Sequence, residues 1–511
     1  MEDSTLNNLT TRCLDGDSEA CLIVGDHYLE EVKDLQKALE FFKECQKLNH
    51  KDGNRRVGFV YHKLNDWESA KHNWLLASEM NDIIAIENLG RVEMEKGNAG
   101  QAKDYFIKAI NHGSKSSLVY LGRLEVEQGN GDEGFNLLNR ALELGQMGAH
   151  LELAEVYEKR NQPEKYRYHI FKGADEGNLP CISIAFKICY NEHSYEESLK
   201  YILKLEHLNY PSDIYFIGQL NELLGNKSKA REYYQKASDL GDAWGAARLA
   251  IFLFEEGNDQ EAMLSFEKAC QGGHGGACNI LGTKYRDTQD YHRAKHYFDE
   301  AIKFNNTDAL IERGGLELIL GDYSAARIDF AKAIEAGNDR GYYDMGFIEM
   351  KLKNYDEALQ YFFIAVDKGI SQAFYNIGFI YSEKSDQEKA IEYFEKSIEA
   401  GNLGGYNALG CLEMKIGNLD KAREHFKKGI EVNDLYCNLN IAELELEFGD
   451  KAMGLEYLNP VIESGHQPIV LAAHELLIRF YNMIGDTEKK MIHEKLLQAM
   501  QNEEDPKKVI N

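Results

Sequence analysis

Proline is nearly missing from this chain, with six in 511 residues, so long stretches are free to be helical. Cationic side chains are also short in supply. Lys plus Arg number 58 against 85 Asp plus Glu, a formal net charge of −27, and that sign opposes phosphate backbones and anionic lipid headgroups. No nucleic-acid partner is expected. No apolar run reaches the ~18 residues a membrane span requires, so no membrane insertion is expected. Met1 to Arg12 (MEDSTLNNLTTR) lacks the basic start and apolar run of a secretory signal, which points to a cytoplasmic location. The nine cysteines, an odd number, suit a reducing compartment better than a disulfide framework. HExxH, paired CxxC and GxSxG signatures are absent. The sixteen histidines follow no repeat phase and read as solvated at positions such as His72, His292 and His425. Neither a metal, a cofactor nor an enzymatic activity is expected.

What is present is an apolar fraction of 43%, enough for a packed interior, and a composition that hardly changes along the chain. That uniformity favours one continuous architecture over several ordinary domains, and an internal repeat accounts for it. In steps of 32 residues from Ala38, a small residue recurs through Ala70, Ala102, Gly134, then Ala230 to Ala422, and Gly454. Four residues after each stands a large apolar or aromatic side chain, as in Phe42, Trp74, Phe106, Phe330, Phe362 and Phe426. Upstream a second small residue recurs as Gly58, Gly90, Gly122, Gly282, Gly346, Gly378 and Gly410. Each unit reads as two short amphipathic helices, A and B. Steps such as Gly97-Asn98 and Gly417-Asn418 supply a helix stop and then an N-cap able to accept orphan backbone N–H groups. A small residue facing a large ring lets two helices approach closely. Because one helix pair cannot bury both its faces, stacked pairs form one core along a solenoid.

These small/aromatic pairs, as in LGCLEMKIGNLDKAREHFKKGIE, resemble tetratricopeptide repeats and their Sel1-like relatives over about nine-tenths of the chain. The resemblance implies an all-α, right-handed α-α superhelical solenoid; the spacing gives about 14 to 15 helix-turn-helix repeats with a 32-residue period, which departs from the consensus length of both kinds of repeat. Residues 1–15 read as an N-terminal half-repeat cap and 16–464 as fourteen repeats, irregular at 145–208, where Pro163, Pro180 and Pro211 cluster. A C-terminal repeat with its capping helix occupies 465–501, and 502–511 read as a flexible tail. The resemblance also implies a protein-interaction scaffold that takes a partner segment in the concave groove. The alternative is a ligand- or peptide-responsive regulator whose superhelix changes shape on binding, and self-association is open.

Within that frame, the A-helix positions three before and one after the key glycine are four apart and share one face. Two adjacent units place Tyr343 with Phe347 and Tyr375 with Phe379 there, a candidate aromatic anchor for a partner. Tyr342, Phe374 and Tyr406 read as core. A second candidate is a ladder of glutamates three residues after the glycine: Glu93, Glu125, Glu317, Glu349, Glu413 and Glu445, able to face a basic segment. The bland reading is that each caps a nearby turn or pairs with helix B, but Lys103, Arg327 and Arg423 follow only three of the six by ten residues, so pairing does not explain all. Cys13 with Cys21 and Cys270 with Cys278 share a spacing of eight. In secreted cysteine-rich Sel1-like proteins a similar pair bridges one helix B to the next helix A. The missing signal peptide favours reduced, buried thiols, and both readings stand. The string Gly129 to Gly134 matches GxGxxG but sits at a repeat turn with two carboxylates and no preceding strand, so it is no dinucleotide site.

Overall fold

The computed structural model describes residues 3–501; the expected tail at 502–511 lies outside the described residues. Among the described residues the chain forms thirty-one α-helices, a single 3-10 turn and no strand. None of these helices is long and apolar enough to cross a membrane. Two compact units divide at Leu249/Ala250.

Each unit is a run of antiparallel A and B helices. In the first, A helices Ile83–Glu95, Ser117–Glu127 and Ala149–Lys159 alternate with B helices Ala99–Asn111, Gly131–Glu143 and Pro163–Asp175. In the second, A helices Asp308–Ile319, Arg340–Lys351 and Ala373–Glu383 alternate with Tyr323–Glu335, Tyr355–Asp367 and Gln387–Glu399. Each of these six A helices packs on the B helices before and after it, and the neighbouring ones in each unit also touch one another directly.

The small/large pairing is the contact that sets the close approach. A Cβ built on Gly90 would stand 2.7 Å from the Phe106 ring, and one on Gly346 would stand 2.8 Å from Phe362. Both rings are fully buried. The corner between units requires a left-handed backbone, which Asn81 adopts at φ 60° and Gly113 at φ 98°, a conformation that glycine and asparagine tolerate best.

Helix starts differ from the expected pattern in an instructive way. Most aspartate caps accept backbone N–H groups on their carboxylates, as Asp82 does from Ala85 (2.9 Å) and Asp322 from Ala325 (2.9 Å), while Asp52 and Asp339 make no such bond. At Asn98, Asn130, Asn354 and Asn418 the side chain caps no backbone N–H. Those amides are engaged elsewhere, with the buried glutamates described below. The clustered prolines do not break helices: Pro163, Pro180 and Pro211 lie in first turns, where the missing N–H is no loss. The local irregularity is a B helix shortened to nine residues, Tyr195–Leu203, followed by the 3-10 turn Glu206–Leu208.

Candidate partner-binding surface

The four aromatic side chains divide by depth. Tyr343 and Tyr375 are half-buried. Tyr343 leans on Phe362 with ring centroids 5.7 Å apart, and Tyr375 leans on Phe394 at 5.6 Å. The Tyr343 hydroxyl accepts a hydrogen bond from Nδ2 of Asn376 at 3.1 Å, tying the two A helices together. Burial pushes the Tyr375 phenol up, with Cys411 and Asp434 adding to the shift. Of the phenylalanines, Phe379 is 40% exposed, whereas Phe347 is half-buried like the tyrosines, packs against the same core as Tyr343 and has the Lys351 ammonium over its ring at 5.2 Å. Tyr342, Phe374 and Tyr406, expected in the core, are only half-buried.

Asp344, between Tyr343 and Phe347 on the same helix, adds an acid to this face. Burial pushes its carboxyl up to about 6, with Arg340 opposing and Glu312 reinforcing the shift, and its buried Oδ2 has no hydrogen-bond partner. The surface therefore combines an exposed ring, two anchored tyrosines and an under-satisfied carboxylate.

The glutamate ladder is not a surface. Glu93, Glu125, Glu317, Glu349, Glu413 and Glu445 are all buried, none more than 7% exposed. Five of them pair with a cation on the preceding B helix: Lys71 with Glu93 (2.5 Å), Lys103 with Glu125 (2.5 Å), Lys295 with Glu317 (2.7 Å), Arg327 with Glu349, and Arg423 with Glu445 (2.6 Å). Glu413 has only Lys421, at 3.8 Å. The second carboxylate oxygen takes a hydrogen bond from the residue five positions later: the amides of Asn98 (2.7 Å), Asn130 (2.7 Å), Asn354 (2.8 Å) and Asn418 (2.8 Å), or the backbone N–H of Asp450 (3.0 Å). Glu93, Glu125, Glu349 and Glu445 thus each clasp one repeat to the next and fix their own A-to-B turn, whereas Glu317 only clasps and Glu413 only holds its turn. Burial raises the Glu93 carboxyl, but hydrogen bonds from Lys71 and Asn98 outweigh it and the net shift is downward. Glu125 is also lowered, burial again being opposed by Lys103 and Asn130.

The cysteine pairs are joined rather than reduced. Cys13 and Cys21 form a disulfide with Cα atoms 4.7 Å apart, as do Cys270 and Cys278 at 4.9 Å. Eight residues carry the chain around the inter-unit turn and bring the end of one helix beside the start of the next. The same spacing inside the single helix Leu179–Asn191 leaves Cys181 and Cys189 as free, buried thiols, because eight residues of helix rise ~12 Å.

A feature not singled out from the sequence is a cavity of about 110 Å³ lined by Phe59, His62, Trp74, Asn88, Arg91 and Glu95 among others. Phe59 and Arg91 hold the position after the key glycine in adjacent units, which is the signal that could have found it. Its floor is the buried Trp74, and burial pulls the His62 imidazole down, with Glu95 opposing.

Family models for the tetratricopeptide repeat match residues 371–400, 403–434 and 281–340, and one for the Sel1 repeat matches 18–44, 85–114, 212–242 and 340–370. The class that the fold and these matches define is an α-helical repeat solenoid of the tetratricopeptide and Sel1 kind. No curated protein matches the chain in sequence. Among solved structures it is similar to c5321, a protective antigen of uropathogenic Escherichia coli strains displaying an SLR fold (TM-score 0.45, 16% identity, 93% of this chain and 94% of that one). It is also similar to yeast Tom70 (TM-score 0.34, 16% identity, 83% and 96%) and to a Sel1 repeat protein from Oxalobacter formigenes (TM-score 0.30, 20% identity, 48% and 96%).

Proposed function

We propose that this protein is an interaction scaffold, a binding protein rather than an enzyme, and that the A-helix face of Arg340–Lys351 and Ala373–Glu383 takes a segment of a partner protein. Repeat proteins of this class generally mediate protein–protein interaction. The observation that carries the reading is Phe379, a phenylalanine 40% exposed beside tyrosines already fixed by Asn376 and by their underlying rings. An anchor held on a rigid helix loses little freedom when a partner covers it. The partially desolvated Asp344 and the net charge of −27 favour a partner segment that donates hydrogen bonds or carries positive charge.

The test is affinity capture from native lysate by the intact chain and by the double variant Phe347→Ala/Phe379→Ala, read by mass spectrometry. Proteins captured by the intact chain and lost by an equally stable variant support the reading. A large loss of stability in the variant would mean that these rings hold the fold together instead.

A further inference from the structure

Four side chains recur in the same arrangement in the two units, outside the surface described above. In the first unit His150 on helix Ala149–Lys159 faces His169 on helix Pro163–Asp175, with the two Nδ1 atoms 2.9 Å apart. Tyr157 stacks on His169 at 5.3 Å, and the Lys165 ammonium lies over Tyr157 at 5.2 Å. In the second unit His474 on helix Gln467–Ile484 faces His493 on helix Thr487–Gln501, with Nδ1 atoms 3.1 Å apart. Tyr481 stacks on His493 at 5.6 Å, and Lys489 lies over Tyr481 at 5.4 Å. The spacing His-x6-Tyr-x7-Lys-x3-His is the same in both. His150, His169 and His474 are buried, none more than 8% exposed, and His493 is half-buried.

Two imidazoles joined through Nδ1 have room for one proton between them. In the neutral pair one ring donates Nδ1–H to the lone pair of the other. If each ring takes up a proton, both Nδ1 atoms carry hydrogen, the shared bond is lost, and two positive charges face each other across about 3 Å away from water. The surroundings of the two pairs differ. Around the first, Glu176 sits 3.3 Å from Nε2 of His150, Lys172 opposes it, and the Cys181 thiol of the next helix lies beside Gly173. Around the second, burial alone acts on His474, and burial with His474 acts on His493. Among the described residues no carboxylate from helices Leu435–Phe448 or Lys451–Glu463 bears on it. The first pair also lies inside a run of helices packed on both sides. Helix Thr487–Gln501 packs mainly on Gln467–Ile484.

From this geometry we infer that the His474–His493 pair is an acid-sensitive latch: protonation of both rings releases helix Thr487–Gln501 and uncovers the apolar face of Gln467–Ile484. On that face Tyr481 stacks on His493 and Leu476 lines a cavity with Leu497, and both are buried at present. Burial holds His493 down at about 4 and lowers His474 as well. The released helix therefore binds protons more readily than the docked one. The contribution to docking is present above the ordinary histidine value of about 6.5 and is lost as pH falls toward the docked value. The first pair, with Glu176 and helices on both sides, serves as the internal comparison.

Hydrogen exchange on the full chain at pH 7.5 and pH 5.0, corrected for the intrinsic pH dependence of exchange, tests the latch. Peptides from 487–500 should exchange about tenfold faster at pH 5.0, whereas peptides from 149–175 should change less. In His493→Phe, which keeps a ring on Tyr481 and cannot be protonated, the acid-induced increase should shrink to the part that the buried His474 alone contributes. His474→Phe should act in the same way and covers the case in which the first variant fails to fold. Equal protection at both pH values in the unmodified chain would overturn the inference, and so would an unchanged acid response in a folded variant.

Discussion

At the scale of single residues, the buried glutamates make the most testable contribution to stability. Lys71→Met leaves Glu93 in the interior with only the Asn98 amide. Breaking a fully buried ion pair costs about 3–5 kcal/mol; with the lysine partly exposed, a loss of about 1–2 kcal/mol is expected. Urea denaturation would measure it, and a loss below about 0.5 kcal/mol would class the pair with ordinary surface bridges. The pH dependence has a definite sign. The Glu93 carboxyl sits below its ordinary value of 4.5 in the folded chain, so the unfolded chain takes up that proton first. The pair stabilises the fold above that value, and the contribution fades as pH falls through the folded value. Lys71→Met should flatten this part of the acid limb. The clasp was half legible in the sequence. Lys103, Arg327 and Arg423 stand out as cations ten residues after a glutamate, yet each serves the glutamate 22 residues after itself, on the next repeat. Sequence distance alone does not say which neighbour a B-helix side chain leans toward. The histidine pairs were hidden for a related reason. His474 lies 474 − 150 = 324 residues after His150, four more than ten steps of 32, so a fixed step passes over the correspondence.

At the scale of the helix pair, the fold depends on the fit of a small residue against a large one. Gly346→Ala would drive a Cβ to 2.8 Å from the Phe362 ring, and overpacking of this kind costs about 1–3 kcal/mol. The chain shows this compensation in two of three repeats: alanine holds this place as Ala154 and Ala442 opposite the smaller Ile170 and Leu458, but as Ala250 opposite Phe266. Gly346→Ala/Phe362→Leu should therefore recover part of the loss, as a thermal melt of the single and double variants would show; a double variant less stable than the sum of its parts would contradict the pairing. This level of structure was open to sequence reading because helix packing repeats the same steric demand in every unit. The cap chemistry was not, because asparagine both accepts and donates. Its choice at Asn98 or Asn354 depends on a buried carboxylate five residues upstream.

At the scale of the whole molecule, the described chain is two units of stacked helix pairs, and its function rests on which faces stay uncovered. The helix-pair fold and the repeat type were written in the small and aromatic periodicity. The depth of each candidate side chain was not, since Phe347 and Phe379 occupy the same repeat position yet one is half-buried and the other 40% exposed. The same holds for the acidic residues, whose large number concealed that six of them serve the interior. The most direct test of the account is a photo-crosslinking amino acid placed at Phe379, and in a control at the exposed B-helix position His292, in the full chain exposed to native lysate. The account predicts a discrete crosslinked partner from position 379 and none from 292. Equal crosslinking at both positions, or none at 379 while the partner is still captured, would contradict it.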